Sequence, residues 1–279
     1  MKRRDLDGKV VLISGAAGGL GAALARRYGI AGSLIAALDV NATQLDTLVA
    51  NLQSLGVRAL AIHADITDAH ACLQAVAASL QHFGRIDGLI NNAGISHRSL
   101  LSNTRPEVIR SVMEVNFFGA LHLTQAALPH LTARQGFIAA VSSVAGFAPL
   151  IGRTGYAASK HAMHGFFDSL RSELEGTGVS VTLICPSFIQ TGIGAAALGG
   201  DGRGATSARL TSGGESSAEE IAERIFEAIA RHRHRLLPDR TSRIAWWTSR
   251  LMPALYARMM KHRLGTEFDA PRTVNSGHP

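Results

Sequence analysis

The chain lacks any long apolar run. None of its 279 residues falls in a window approaching the roughly 18 uninterrupted apolar positions of a membrane-spanning helix. No membrane-spanning helix is expected within it. Cysteine is scarce: Cys72 and Cys185 are the only two, far apart and without metal-ligand spacing. No disulfide framework and no metal site is expected, and the composition fits a reducing cytoplasm. Aromatics are only 5% of residues although 46% are hydrophobic. With Ala and Gly so plentiful, close helix-on-sheet packing is a better solution than an aromatic-rich β-sandwich. The first residues are not expected to form a signal peptide. Met1 to Asp5 is charged, and Val10-Val11-Leu12-Ile13 is too short and too soon followed by glycine for a signal peptide.

Charge is present but uneven. Of the formal net charge of +7, nine arginines and one lysine lie between Arg224 and Arg263, against few acids. The basic excess belongs to the C-terminal segment, and the rest is close to neutral. The cations are not laid on a recognisable reading module, so nucleic acid is not an expected partner.

At this length the chain can bury a substantial core. Short apolar runs alternate with helical stretches. Strands are expected over residues 9–14, 33–38, 57–62, 86–90, 136–141 and 179–184, with a last short one at Leu236-Leu237-Pro238. Helices are expected at 22–28, 69–83, from Pro106 through Asn116 to near Pro129, at about 155–175, and at 218–231. Such alternation predicts an α/β fold, a doubly wound parallel sheet of about seven strands with helices on both faces. One domain spans 1–240, and 241–279 forms a helical extension. Functional loops should gather at the carboxyl ends of the strands.

Four stretches there carry chemistry. Gly15-Ala16-Ala17-Gly18-Gly19-Leu20-Gly21 follows the first strand and opens a helix. Gly15 permits the tight turn, Gly19 lets the backbone approach a pyrophosphate, and Gly21 allows close helix–strand packing. Asp39 ends the second strand, where its carboxylate can accept both hydroxyls of an adenosine ribose and would repel a 2′-phosphate. No arginine or lysine nearby would welcome that phosphate, so NAD is expected and NADP is less favoured. Alternatively, Asp39 caps the helix that follows. Tyr156 and Lys160 lie one turn apart on one helix face. An ammonium beside a phenol favours the phenolate, and lowering a tyrosine pKa from about 10 to near pH 7 takes roughly 4 kcal/mol of differential interaction. Such a pair suits proton transfer between an alcohol and a ketone. A packed tyrosine beside a solvated lysine is the plain alternative. Finally, residues 191–217 are rich in Gly, Ala and Ser, which suggests a lid, or else an insertion without a role.

Taken together, roughly residues 8 to 240 resemble the short-chain dehydrogenase/reductase family. Ser14 with the glycine loop matches the family's cofactor turn, with serine where threonine is usual. Asp65-Ile66 matches the pair at the adenine, and Asn92-Ala93-Gly94 the segment that closes the cofactor cleft. Asn116, Ser143, Tyr156 and Lys160 match the catalytic set. Pro186 to Thr191 matches the stretch that meets the nicotinamide, with Ile189 and Thr191 at the carboxamide and Ser187 replacing the usual glycine. The resemblance implies a Rossmann-type fold and an NAD(P)-dependent oxidoreductase acting on CH–OH groups, assembled as a homodimer or homotetramer. It implies Tyr156 as general acid/base, Lys160 holding the nicotinamide ribose, Ser143 on the substrate oxygen and Asn116 in a water relay. A non-catalytic NAD-sensing protein would be expected to have lost one of these residues, and none is lost.

Residues around the expected pocket, Ile95, His97, Phe147, Leu150, Ile193 and Leu198, are mostly apolar. A lipophilic secondary alcohol or ketone is the expected substrate, with Ser143, Phe147, Tyr156 and Ile193 in contact with it. The alternative is an NADPH-dependent carbonyl reductase. Arg240 to Leu264 mixes Trp246, Trp247, Leu251, Tyr256 and three methionines with basic residues, a pattern of peripheral contact with an anionic membrane. Packing over the pocket and a dimer contact are the other readings, and Pro253 should kink the stretch.

Overall fold

The computed structural model describes residues 3–190, 192, 194, 196–205 and 214–264. Thr191, Ile193 and much of the expected lid lie outside the described residues.

Seven strands form one sheet: β1 (Val10–Ser14), β2 (Leu34–Asp39), β3 (Ala59–His63), β4 (Gly88–Asn91), β5 (Phe137–Val141), β6 (Ser180–Ile184) and β7 (Arg235–Leu236). Their order is β3-β2-β1-β4-β5-β6-β7, and every pairing is parallel. β1 and β5 are buried along their whole length, as strands covered on both faces must be. One face is covered by α1 (Gly19–Ile30), α2 (Ala42–Ser54) and α7 (Ala218–Ala230), through Leu24, Leu45, Leu48, Ile221 and Ile225. The other is covered by α3 (Ala69–Phe83), α5 (Gly119–Ala133) and α6 (Thr154–Glu173), through Val76, Leu123, Leu131, Met163 and Phe167. The Rossmann-type arrangement expected from the sequence is the one found.

The chain order reverses between β1 and β4, and this is where a crevice opens at the carboxyl ends of the strands. Ser14 ties the two ends together: its Oγ accepts the N–H groups of Asn92 at 3.1 Å and Ala93 at 3.2 Å.

Two elements depart from expectation. The long helix from Pro106 does not end near Pro129. It starts as α4 (Pro106–Met113), passes through one π turn at Glu114–Phe118 and continues as α5 to Ala133. Pro129 removes one bond near the end of the helix, while Ala127 and Leu131 on either side of it are buried in the core. Pro253 does not kink a helix but opens one. The C-terminal stretch folds as two helices, α8 (Arg240–Leu251) and α9 (Pro253–Leu264), with proline at the first position, where its missing N–H costs nothing. Among the described residues no helix is long and apolar enough to cross a membrane.

Candidate active site

A cavity of about 690 Å³ runs from the glycine turn to the C-terminal helices. At its first end lie Gly15, Gly18, Gly19, Leu20 and Asp39. Gly15 has φ of +63°, and a Cβ on it would stand 2.7 Å from the Ala93 Cα. A Cβ on Gly21 would fall 1.9 Å from the Gly15 carbonyl oxygen. The turn therefore exists only with glycine at both positions. The first turn of α1 has no acidic residue, and its N-cap Gly18 supplies no side chain. A helix N-terminus left bare in this way suits a phosphate anion. Asp39 accepts the Ala17 N–H through Oδ2 and the Asn41 N–H through Oδ1, both at 2.9 Å. The cap of α2 is Asn41, whose Oδ1 accepts the Gln44 N–H. Asp39 instead braces the glycine turn and presents its carboxylate to the cavity. These residues fit a dinucleotide.

The rest of the expected cofactor set divides. Asn92, Ala93, Gly94, Pro186 and Ile189 line the cavity. The Asn92 amide donates to the Ser14 and Gly15 carbonyls at 3.1 and 2.9 Å, locking the turn from β4. Asp65 and Ile66 stand beyond β3, off the cavity wall. Asp65 Oδ1 accepts both the N–H and the hydroxyl of Thr67, and Ile66 is buried against Gly119.

The middle of the cavity is built by β5 and α6. Ser143 follows β5 and its Oγ accepts the Ala145 N–H at 3.2 Å, which leaves its own proton to donate. Tyr156 and Lys160 face the cavity from the first turns of α6, with the Lys160 ammonium 5.7 Å from the centre of the Tyr156 ring. Lys160 is almost wholly buried, and its Nζ donates to the Val141 carbonyl at 2.9 Å. Burial pushes its pKa down to about 8, a cost to the charged form. Cys185 nearby is pushed up to about 12 by burial and stays a neutral thiol at physiological pH.

Asn116 sits in the π turn, fully buried and off the wall. Its Oδ1 accepts the Ile95 N–H at 2.8 Å. Its Nδ2 donates to the Ile95 carbonyl at 3.0 Å and to Ser159 Oγ at 2.9 Å. Ser159 in turn donates to the Tyr156 carbonyl at 2.8 Å. The π turn sets this amide toward Ile95 and the first turns of α6, behind the cavity wall. His97, expected on the pocket wall, is buried beneath it. Its Nδ1 accepts the Tyr156 N–H at 3.3 Å, serving one of the orphan donors of the helix start. Burial, with Arg153 adding to it, pushes the His97 pKa down to about 4, so the ring is neutral at physiological pH.

The far wall comes from the C-terminal helices, the packing over the pocket that the sequence left open as an alternative. Ile244, Ala245 and Thr248 of α8 and Tyr256, Met259 and Met260 of α9 close the cavity, with Leu150 packed against the buried cluster that holds Ala245, Tyr256 and Met260. Arg98 and Arg153 also face it, each donating to a nearby carbonyl, Gly194 and Ile151. Phe147, expected against the substrate, stands behind this wall with its ring edge-on to Trp246 at 4.9 Å. The pin for α8 is Asp239, its N-cap. Asp239 accepts the Ser242 N–H at 2.7 Å, the Ser187 N–H at 3.0 Å and the Ser187 hydroxyl at 2.8 Å. The capping pair Asp239 and Ser242 was the available signal.

A dinucleotide cradle beside a buried lysine, a tyrosine and a serine defines an α/β oxidoreductase. Comparison with known proteins agrees. A family model described as short chain dehydrogenase matches residues 9–199. Dehydrogenase/reductase SDR family member 7B of Mus musculus is 37% identical over 270 residues, covering 94% of this chain and 83% of that protein. The Dehydrogenase/reductase SDR family protein 7-like of Anopheles gambiae is 37% identical over 267 residues, covering 93% and 84%. A solved short-chain dehydrogenase/reductase from Burkholderia phymatum, in complex with NAD, superposes with a TM-score of 0.78 at 27% identity. It covers 89% of this chain and 96% of its own. The chain belongs to the short-chain dehydrogenase/reductase family and is an oxidoreductase enzyme.

Proposed function

We propose that the enzyme interconverts a lipophilic secondary alcohol and its ketone with NAD as cofactor, Tyr156 moving the proton. One observation carries the reading: a single cavity joins Asp39 and the glycine turn, the Ser143–Tyr156–Lys160 group and a mostly apolar wall from α8 and α9. The nicotinamide would supply or accept the hydride at its C4. Gly15, Gly19 and Asp39 would hold its diphosphate and adenosine ribose, with Pro186 and Ile189 beside the nicotinamide. The Asp39 carboxylate accepts hydroxyls and repels a 2′-phosphate, which favours NAD.

In reduction Tyr156 Oη gives its proton to the substrate oxygen, and in oxidation it takes the proton back. The Lys160 ammonium lies close enough to favour the phenolate that this transfer leaves. Ser143 donates its hydroxyl proton to the same substrate oxygen, stabilising the charge that develops there. Asn116 keeps Ile95 and the first turns of α6 in place, so that Tyr156 is held rather than mobile. The assignment is tested with a panel of lipophilic alcohols and ketones, followed by absorbance of the reduced nicotinamide with each cofactor. Turnover of apolar secondary alcohols or ketones at higher kcat/KM with NAD(H) is expected. Preference for sugar phosphates, or for NADP(H), would overturn it.

A further inference from the structure

α8 and α9 carry two apolar faces, and the fold uses only one. Ser242, Ala245, Tyr256 and Met260 turn inward and are buried. On the other side Ile244, Trp247 and Leu251 are 47%, 61% and 72% exposed, spaced three and four residues apart along one helix face. Met252 and Leu255 extend the strip into α9 at 50% and 43% exposure. These are five of the twelve large hydrophobic residues exposed among the described residues, and they fall within twelve positions of chain. Scattered exposed residues need no explanation, but a contiguous strip that includes an indole marks a contact surface.

Charge identifies the contact. Between 240 and 264 stand Arg240, Arg243, Arg250, Arg258, Lys261 and Arg263, all exposed, and no carboxylate. A second copy of the chain meeting this face across a two-fold axis would bring this cation-rich, carboxylate-free segment against its own copy. Anionic lipid would neutralise them. With no helix able to cross a membrane among the described residues, the geometry is that of helices lying in the interfacial plane. Ile244 and Arg263 also line the cavity, so the strip reaches its mouth.

We propose that the outer face of α8 and α9 docks on an anionic lipid surface, with Trp247 and Leu251 at the acyl boundary and the cations over the lipid phosphates. The mouth of the cavity then opens toward the layer in which a lipophilic substrate is dissolved. This last step rests on the substrate reading above, whereas the docking rests on the surface alone.

Full-length protein is sedimented with phosphatidylcholine vesicles, with and without phosphatidylserine, at low and physiological salt. Binding to the phosphatidylserine vesicles that weakens with salt is expected. Trp247→Ser with Leu251→Ser, and separately Arg258→Gln with Lys261→Gln, should each lower the partition at least about tenfold. Turnover of a small water-soluble ketone and the melting temperature should stay unchanged, since none of the four residues lines the cavity. That separate assay keeps a failure of docking distinct from a failure of the catalytic reading. Absence of wild-type binding, equal binding by the variants, or a shift from dimer to monomer in the Trp247→Ser, Leu251→Ser protein with vesicle binding retained would each overturn the proposal. The last result would assign the face to a second copy of the chain.

Discussion

Lys160 is the residue at which function and stability oppose each other. Its ammonium is buried, and its pKa falls from 10.5 to about 8. Between those values the folded state binds fewer protons than the unfolded chain, so this group makes stability rise with pH from about 8 to 10.5. Below pH 8 the fold carries the full cost of the buried cation, roughly 3 kcal/mol. Lys160→Met keeps the stem and removes the charge, while leaving the Val141 carbonyl without its donor. Relief of the burial cost and loss of this bond oppose each other, and the relief is the larger at neutral pH. Thermal denaturation should therefore show a higher melting temperature at pH 7, a difference that fades or reverses by pH 10, and turnover should be lost. A variant less stable than wild type at pH 7 would refute the burial cost. The pairing of Lys160 with Tyr156 was legible from a four-residue spacing. The cost was not, because burial depends on β5 and β6, which come from other parts of the chain.

At the scale of elements, the π turn at Glu114–Phe118 holds the site together. Asn116 is buried and makes three hydrogen bonds, two of them to Ile95. Asn116→Ala leaves these partners unpaired and should cost about 2–4 kcal/mol of stability by denaturant melts. Its kcat should fall as the start of α6 loosens, and an undiminished kcat would show that Asn116 only supports the fold. The strands and most helices were readable to within a residue or two, because each is an apolar run closed by glycine or a capping residue. β1 running into Gly15 and β2 ending at Asp39 are examples. The π turn was not readable, since one extra residue leaves the helical pattern around Val112, Ala120 and Leu123 intact. The end of the helix was misjudged for a related reason: Pro129 lies close enough to the end that buried neighbours outweigh the lost bond.

For the whole molecule, the decisive event is the return of the C-terminal helices onto the cavity. Their amphipathic character was visible in the sequence, but periodicity does not say what covers a face, and these helices have two. What fixes them is a contact between distant segments, Ser187 to Asp239. It gives the serine that replaces the family's usual glycine a physical role. Ser187→Gly removes the hydroxyl bond to the helix cap, and should raise the KM for a lipophilic ketone severalfold with kcat little changed. Equal KM values in steady-state kinetics would contradict that coupling. The central claim, that Tyr156 moves the proton in a site whose cofactor cradle is independent of it, is tested most directly by Tyr156→Phe. NADH fluorescence titration and ketone turnover are measured on one preparation. An unchanged dissociation constant with turnover reduced at least about a hundredfold is predicted, and turnover retained by the phenylalanine variant would contradict the account.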